Sequence, residues 1–379
     1  MSNLVPESRE EVIAFLKSRY GDPKSGSMSP WERVEEAINL RKPDRTPFDF
    51  WAVPETIEKL KVYLGVEEEE DFLQLLGIDC RLVYPDYIGP ELEKLDDGTF
   101  YSEWGSHRRK VANDFSVYEE YATFPLANAT VEEVRNWEKW PKTTYWDWDG
   151  LVAKIDKLNQ DVRYHMRYEV GGIFESSWGM YGLDKALIDL ATNPEPICAV
   201  MDRFTDIYIE NVKSLAKVAG DKIDMVYTYD DVAIQRGLLM SPKMWRKYIL
   251  PRHQRLNKVI KEAGFKILYH SCGSVMKLID PFIKEMGIDV LNPLQPRAIG
   301  MDMQWIKDTF GSRIGFHGAI DLQKTLPMGS QQDVYDEVVE RCQILGKNGG
   351  FICTSAHYIQ ADVPMENIVA MYTAPREVD

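Results

Sequence analysis

The stretch FKILYHSCGS, residues 265–274, places chemically reactive side chains at the end of a predicted buried strand. Its mostly apolar first half is typical of such a strand, and it runs directly into a histidine, a serine, a cysteine and a glycine. An imidazole and a thiol two residues apart fit half of a metal site. They fit a packed core histidine beside an inert buried thiol as well.

Other short runs rich in β-branched and aromatic residues accompany this one, at 46–51, 80–84, 163–170, 223–228, 288–292, 313–317 and 350–354. From the third run in chain order onward, segments with helical periodicity separate them. Eight strands alternating with helices predict an α/β fold, a closed (β/α)8 TIM barrel. After the second strand, Asp97-Gly98 between alternating segments predicts a β-hairpin insertion.

Two helices are predicted ahead of the barrel. An amphipathic helix is expected from about Glu7 to Tyr20. A second begins at Ser29, where SPWE supplies an N-cap serine, a proline at the first position and the glutamate of a capping box. We therefore expect residues 1–45 to form an N-terminal helical extension and residues 46–379 to form the TIM-barrel catalytic domain.

Composition restricts the class of protein. The 379 residues are 44% hydrophobic and 28% charged, without an apolar run near the ~20 residues that cross a bilayer, which predicts a globular protein with no membrane partner. The acidic start is unlike a signal peptide, and the five cysteines lack paired spacing, so a cytoplasmic location is expected. A net charge of −15 argues against nucleic acid and leaves a neutral or cationic small molecule, or a protein with a basic patch. The oligomeric state stays open.

Barrel enzymes build their sites at the carboxyl ends of the strands, which is where the predicted metal ligands lie. His270 and Cys272 supply two, and zinc needs about three with one open position. Cys353 and His357 compete for the third place, because both belong to the last strand or its exit. A strand rises about 3.3 Å per residue, so the two differ by roughly 13 Å in height. The exit position favours His357, although Cys353 is expected to point into the barrel below it.

Carboxylates and other side chains at the same strand ends are predicted to complete the site. Glu175, Asp230 and Asp231 are candidate catalytic residues, as a further metal ligand, a substrate hydrogen-bond partner or a general acid. A place in the first turn of a helix, where the helix dipole favours an acidic residue, accounts for Glu175 equally well. The candidate substrate-binding residues are Trp51, Tyr84, Trp178, Tyr229, Gln235, Asn292 and His317. The aromatic ones could wall an apolar pocket, or serve only as core packing.

Three segments resemble the uroporphyrinogen decarboxylase superfamily, especially its corrinoid-dependent methyltransferase branch. They are YHSCGSVMKLIDPFIKEMGIDVLNPLQ, GFHGAIDLQKTLPMGS and VPMENIVAMYTA, and the likeness runs from about Trp31 to Ala374. The resemblance implies a distorted TIM barrel. It also implies a zinc site of the form His-x-Cys with a distant cysteine, whose first two positions match His270 and Cys272. Aligned on PMEN, the family's cysteine falls at His357, which leaves the third ligand open between His357 and Cys353.

The resemblance also implies an activity. We expect a zinc-dependent methyltransferase that passes a methyl group from a methylated, methoxyl-bearing small substrate to the Co(I) corrinoid of a corrinoid-binding partner protein, and the aromatic residues above would suit such a substrate. The alternatives are a methylcorrinoid-protein:thiol methyltransferase, a decarboxylase of the uroporphyrinogen type, and a non-catalytic binding or corrinoid-chaperone protein. The decarboxylases bind many carboxylates through arginines near the first strand, whereas no arginine lies between Thr46 and Leu76.

Overall fold

A curled parallel sheet forms the centre of the protein in the computed structural model, which describes residues 8–113 and 117–376. Within these ranges the strands of the sheet, in both chain and spatial order, are Cys80–Val83, His165–Gly172, Met225–Tyr229, Lys266–His270, Val290–Asn292, Gly315–Ile320 and Phe351–Ser355. Each pairs in parallel with the next. The predicted α/β fold of the TIM-barrel type is confirmed, and these strands correspond to all of the predicted runs but the first.

The first predicted strand is not a regular strand, which corrects that part of the prediction. Phe48 forms an isolated parallel bridge to Cys353, and its carbonyl accepts a hydrogen bond from the N–H of Asp79 at 2.9 Å. The next backbone N–H that a ladder would use, that of Phe50, is taken by the side chain of Asp49 at 2.8 Å. This segment therefore lies between the last and first strands and completes the barrel without a continuous ladder.

Helices surround the sheet and connect its strands. Their bounds are Arg9–Arg19, Pro30–Ile38, Pro54–Leu64, Glu69–Leu75, Val131–Arg135, Trp148–Leu158, Ile173–Tyr181, Leu183–Thr192, Glu195–Ala219, Pro242–Met244, Leu250–Glu262, Ile279–Pro281, Met303–Phe310, Thr325–Met328, Gln331–Leu345 and Met365–Thr373. π-Helical turns at Trp245–Ile249 and Phe282–Met286 continue two of them. No helix in the described part of the chain has the length and apolar character that a bilayer crossing requires.

The helix Pro30–Ile38 closes the amino end of the barrel. Its start is as predicted, because Ser29 and Glu32 form the capping box. Val34 and Ile38 are buried in an inner core with residues from the barrel strands, among them Cys80, Met225, Leu268, Val290 and Ile352. The predicted helix that precedes it is also present as Arg9–Arg19, capped by Ser8, while Glu7 lies outside the described residues. The domain boundary at residue 45 stays a prediction.

The predicted hairpin is present and belongs to a larger insertion. Gly98 has a φ of +83°, and the side chain of Asp97 accepts a hydrogen bond from the Thr99 N–H at 3.0 Å, so the turn lies where Asp97-Gly98 placed it. The strand that follows this turn joins a three-stranded antiparallel sheet of Phe100–Tyr101, His107–Ala112 and Val117–Tyr121. A further antiparallel pair, Asp86–Tyr87 with Trp146–Asp147, marks the base of the insertion.

Candidate active site

Three side chains with metal-binding atoms meet at the carboxyl end of the barrel. His270 ends its strand, Cys272 follows two residues later, and His357 lies two residues beyond the last strand. Their ligand atoms all lie within 4.8 Å of one another, and His270 Nε2 is 3.3 Å from Cys272 Sγ. Two nitrogens and a sulfur so close together are a donor set that fits Zn²⁺ with a position left for substrate.

The backbone turn after the thiol requires a glycine. Gly273 has a φ of +86°, and a Cβ atom there would lie 2.6 Å from the carbonyl oxygen of Ile234. The Gly273 N–H donates to Gln295 Oε1 at 2.8 Å, and Gln235 Nε2 donates to the same oxygen at 2.7 Å. The glycine of HSCG thus lets the loop fold back at the barrel mouth, where it holds Cys272 beside the histidines.

A chain of hydrogen bonds runs from His270 into the barrel. Its first link joins His270 Nδ1 to Asn292 Oδ1 at 2.5 Å, and its second joins Asn292 Nδ2 to His317 Nδ1 at 2.6 Å. The third joins His317 Nε2 to Asp49 Oδ2 at 2.9 Å, and Asp49 forms an ion pair with Arg167. These side chains are all buried. Burial acts to raise the pKa of Asp49, but Arg167 and His317 outweigh it and hold that pKa well below its usual value.

The protonation of the three donor side chains follows from their burial. Burial and the neighbouring His270 lower the pKa of His357 to about 4, so its imidazole is neutral at pH 7. Burial lowers the pKa of His270 as well. Burial, with Asp231 and Glu175 nearby, raises the pKa of the Cys272 thiol. Without metal, therefore, the site holds two neutral imidazoles and a protonated thiol.

Cys353 lies away from this cluster, on the opposite face of its strand. Side chains alternate along a strand, and its neighbour Ile352 belongs to the inner core of the barrel. Cys353 is completely buried in the outer layer, against Cys342 of the helix Gln331–Leu345. The expectation that Cys353 points into the barrel is wrong, because the register of the sheet gives the inward position to Ile352. His357 is the third member of the cluster.

The predicted carboxylates separate into different positions. Asp231 lies at the cluster of His270, Cys272 and His357, where Oδ1 accepts the Cys272 N–H at 2.7 Å and is 3.6 Å from His270 Nε2. Asp230 is completely buried, paired with His253 at 2.5 Å, and accepts the backbone N–H of Glu175 at 2.8 Å. This placement favours an anchoring role for Asp230 over contact with substrate.

A cavity of about 600 Å³ adjoins the cluster of His270, Cys272 and His357. Tyr229 in its wall has its ring centre 6.4 Å from that of His270. The aromatic residues of the wall are Tyr84, Tyr87, Trp104, Tyr121, Trp146, Tyr168, Trp178, Phe204, Tyr208 and Tyr229. Such a wall suits a planar, largely apolar ligand.

Two half-buried carboxyl groups lie in the wall of the same cavity. Burial, with Asp231 and Asp230 nearby, raises the pKa of Glu175 to about 8. Burial also raises the pKa of Glu169, which accepts a hydrogen bond from the Tyr84 hydroxyl at 3.1 Å. At neutral pH the Glu175 side chain is therefore mainly a neutral acid that can donate a hydrogen bond or a proton into the cavity.

The predicted substrate-binding residues divide into two groups. Tyr84, Trp178 and Tyr229 line the cavity. The others lie next to the cluster of His270, Cys272 and His357; they are Trp51, Gln235, Asn292 and His317. Trp51 packs against His270 at 6.4 Å between ring centres and donates its indole N–H to Asp49 at 2.8 Å. Their placement favours support of the cluster over contact with a ligand in the cavity.

Sequence reasoning missed the side chains that the insertion brings to the cavity. Trp104, Arg108 and Tyr121 come from the insertion and line its wall, with the Arg108 guanidinium 3.8 Å from the centre of the Tyr121 ring. No local pattern shows that the insertion folds back over the barrel mouth. A smaller cavity of about 280 Å³ lies on the other side of the cluster, where His357 and Tyr358 form part of its wall.

Comparisons with known proteins agree with this fold. A methyltransferase from Methanosarcina mazei has a solved structure that is 16% identical and superposes with a TM-score of 0.62, over 90% of this chain and 96% of that one. This likeness concerns the fold alone.

Curated relatives match part of the chain. A methylated-thiol–coenzyme M methyltransferase of Methanosarcina mazei is 27% identical over 186 residues, 49% of this chain and 46% of the relative. A uroporphyrinogen decarboxylase of Syntrophotalea carbinolica is 24% identical over 183 residues, 46% of each chain. The chain spans about half the length of these relatives. The family model for uroporphyrinogen decarboxylase (URO-D) matches residues 161–378, more than half of the chain. The protein therefore belongs to the uroporphyrinogen decarboxylase (URO-D) family.

Proposed function

We propose that the protein is a zinc-dependent methyltransferase that moves a methyl group from a small methoxyl-bearing substrate to the Co(I) corrinoid of a partner protein. The observation that carries the proposal is the convergence of His270, Cys272 and His357 beside a cavity with an aromatic wall. The 27% identity to a methyltransferase supports methyl transfer as the reaction class.

The donor atoms at the barrel mouth fit the metal that the proposal needs. His270, Cys272 and His357 would hold it, and Asp231 is the nearest of the predicted carboxylates. Zinc bound there would act as a Lewis acid toward the substrate oxygen that bears the methyl group. A corrinoid on the partner protein would supply the cobalt nucleophile.

The chain's own residues orient the substrate and supply a proton. The aromatic wall, including Tyr84, Trp178 and Tyr229, packs against the substrate and excludes water. When the bond between the methyl carbon and the oxygen breaks, the oxygen would keep the bonding electrons, and the corrinoid of the partner protein would supply the acceptor for the methyl group. The oxygen then takes the proton that Glu175 carries, since the pKa of Glu175 is raised to about 8 by burial and by Asp231 and Asp230.

A second candidate is the other half-reaction, in which a thiol accepts a methyl group from the methylated corrinoid protein. The name of the relative, a methylated-thiol–coenzyme M methyltransferase, favours it. A decarboxylase that binds a substrate with many carboxylates is less consistent with the cavity. Its wall carries Asp86, Glu103, Glu169 and Glu175 against a single arginine, Arg108.

Zinc analysis and a methyl-transfer assay together test the proposal. Purified protein is expected to hold about one zinc per chain. With a methoxylated phenol and chemically reduced free cobalamin, methylcobalamin is expected to form, followed by its absorption spectrum. His270→Ala and Cys272→Ala are each expected to abolish zinc binding and methylcobalamin formation. Zinc far below stoichiometry would contradict the metal site and favour a binding or corrinoid-chaperone protein. Methyl transfer to a thiol from methylcobalamin, without demethylation of any ether, would favour the second candidate.

A further inference from the structure

We infer that Asp49, His317 and Asn292 form a positioning relay that fixes which nitrogen of His270 is free to bind a metal. The three side chains lie outside the wall of the substrate cavity. Asn292 and His317 orient the metal ligand His270 instead of contacting substrate. Three consecutive hydrogen bonds between buried side chains connect Asp49 to His270.

The direction of each hydrogen bond follows from what each atom is able to do. An amide nitrogen only donates, so Asn292 Nδ2 donates to an unprotonated Nδ1 of His317. An uncharged His317 then carries its proton on Nε2, which donates to the carboxylate of Asp49 at 2.9 Å. An amide oxygen only accepts, so Asn292 Oδ1 accepts the proton that His270 carries on Nδ1. The Nε2 atom of His270 is left with a free lone pair.

The other side of His270 agrees with this assignment. The Cys272 Sγ atom lies 3.3 Å from His270 Nε2, a distance compatible with a thiol that donates to a nitrogen lone pair. The relay therefore selects the tautomer from inside the barrel, against the carboxylate of Asp231, which lies 3.6 Å from Nε2 and would attract a proton there. When a metal replaces the thiol proton, the lone pair of Nε2 already faces the metal-binding position.

The end of the relay is held by charge. Asp49 is paired with Arg167 and accepts the indole N–H of Trp51, so it is held as a carboxylate acceptor. The side chain of Asn292 connects His317 to His270 by hydrogen bonds. If the His317 side chain is removed, the amide nitrogen of Asn292 keeps only the backbone carbonyl of His317 at 3.5 Å as an acceptor, and the amide can turn over. An overturned amide donates to His270 Nδ1 and forces the proton onto Nε2, the atom that should bind the metal.

Nitrogen NMR of the metal-free protein with ¹⁵N-labelled histidine tests the relay without any assay of activity. The His270 signals are identified by their loss in His270→Gln. The wild type is expected to show one His270 tautomer, with the proton on Nδ1. His317→Phe is expected to show a second tautomer of His270, and its zinc affinity, from competition with a chelator, is expected to fall about 10- to 100-fold. Asn292→Asp, which keeps an acceptor for His270 Nδ1, is expected to retain the wild-type His270 tautomer.

His165→Phe is the matched control, because His165 is another completely buried imidazole that lies outside the relay and faces Glu35 at 3.4 Å. It is expected to leave the His270 tautomer unchanged. A single Nδ1-protonated tautomer in folded His317→Phe, checked by near-ultraviolet circular dichroism, would overturn the inference. If the tautomer changes while the wild type binds no zinc, the relay stands and the proposed function fails, so the two failures are distinguishable.

Discussion

At the scale of single residues, the candidate site depends on which of two neighbouring side chains faces the barrel mouth. His357 lies with His270 and Cys272, within 4.8 Å between ligand atoms. Cys353 is four positions earlier and completely buried against Cys342. The proposed zinc site therefore combines two imidazoles with one thiolate.

Replacing each candidate in turn is a direct test of this donor set. His357→Ala is expected to lose zinc and methyl transfer, because it removes one of the three ligand atoms. Cys353→Ser is expected to keep both and to lose only about 1 kcal/mol of the free energy of unfolding, from placing a hydroxyl in an apolar site. Zinc content is measured by elemental analysis, and stability by urea unfolding. Loss of zinc in Cys353→Ser, with zinc kept in His357→Ala, would show that Cys353 is the third ligand. The site would then have the family's pattern of His-x-Cys with a distant cysteine.

Glu175 gives a second test at the same scale. With its pKa raised to about 8, the fraction that carries a proton falls above pH 8. Demethylation by the wild type is therefore expected to decrease by about tenfold per pH unit above that value. Glu175→Gln keeps the side-chain volume but has no acidic proton. Its demethylation rate is therefore expected to be at least about 100-fold lower than that of the wild type and independent of pH. A full rate in Glu175→Gln, with unchanged far-ultraviolet circular dichroism, would remove it from the mechanism.

At the scale of elements, the insertion does more than extend a loop. Its strand Val117–Tyr121 contains two tyrosines in different environments. Tyr121 lines the cavity and packs against Trp178 at 5.4 Å between ring centres. Tyr118 is 41% exposed. The insertion therefore forms part of the substrate pocket in the proposed function.

This pair of tyrosines supplies a matched test on one strand. Tyr121→Ala is expected to raise KM for the methoxylated substrate about tenfold, the loss of about 1.4 kcal/mol of packing, with zinc content unchanged. Tyr118→Ala is expected to leave KM unchanged. KM is measured from initial rates at saturating cobalamin. Equal effects of the two variants would mean that the insertion acts on the fold and not on the substrate.

Sequence patterns predicted the elements of the sheet better than their closure. HSC at the end of an apolar run indicated His270 and Cys272 correctly as neighbours at the barrel mouth. The first strand was wrong because the side chain of Asp49 takes a backbone N–H, a competition that apolar periodicity does not detect. The inward or outward position of Cys353 depends on sheet register, and the position of Tyr121 depends on tertiary packing. Neither is encoded in a local window.

At the scale of the whole molecule, the barrel is closed at its amino end by the helix Pro30–Ile38. Val34 of this helix is completely buried beside residues of several strands. The helix therefore contributes to the same core as the barrel, although it lies before the predicted boundary at residue 45.

Substituting two valines on helices measures how much the helix Pro30–Ile38 contributes to the free energy of unfolding. Val34→Ala is expected to cost about 2 kcal/mol of the free energy of unfolding, because it leaves a cavity in the inner core. Val62 is 79% exposed on the helix Pro54–Leu64, and Val62→Ala is expected to change that free energy by less than about 0.5 kcal/mol. Both are measured by urea unfolding at constant m-value. A negligible change in Val34→Ala would mean that the helix is an appendage.

The relay that ends at Asp49 also connects the proposed metal site to the order in which the chain is synthesised. Asp49 belongs to the segment that closes the barrel against the last strand, and its carboxylate meets His317 from the sixth strand of the sheet. The donor atoms themselves come from residues 270, 272 and 357. A chain still emerging from the ribosome therefore lacks both the third ligand and the closed barrel until residue 357 has been made. In the proposed zinc site a chain truncated before residue 357 would lack the third donor and would bind zinc more weakly, so stoichiometric zinc in a preparation would report how many molecules have completed folding.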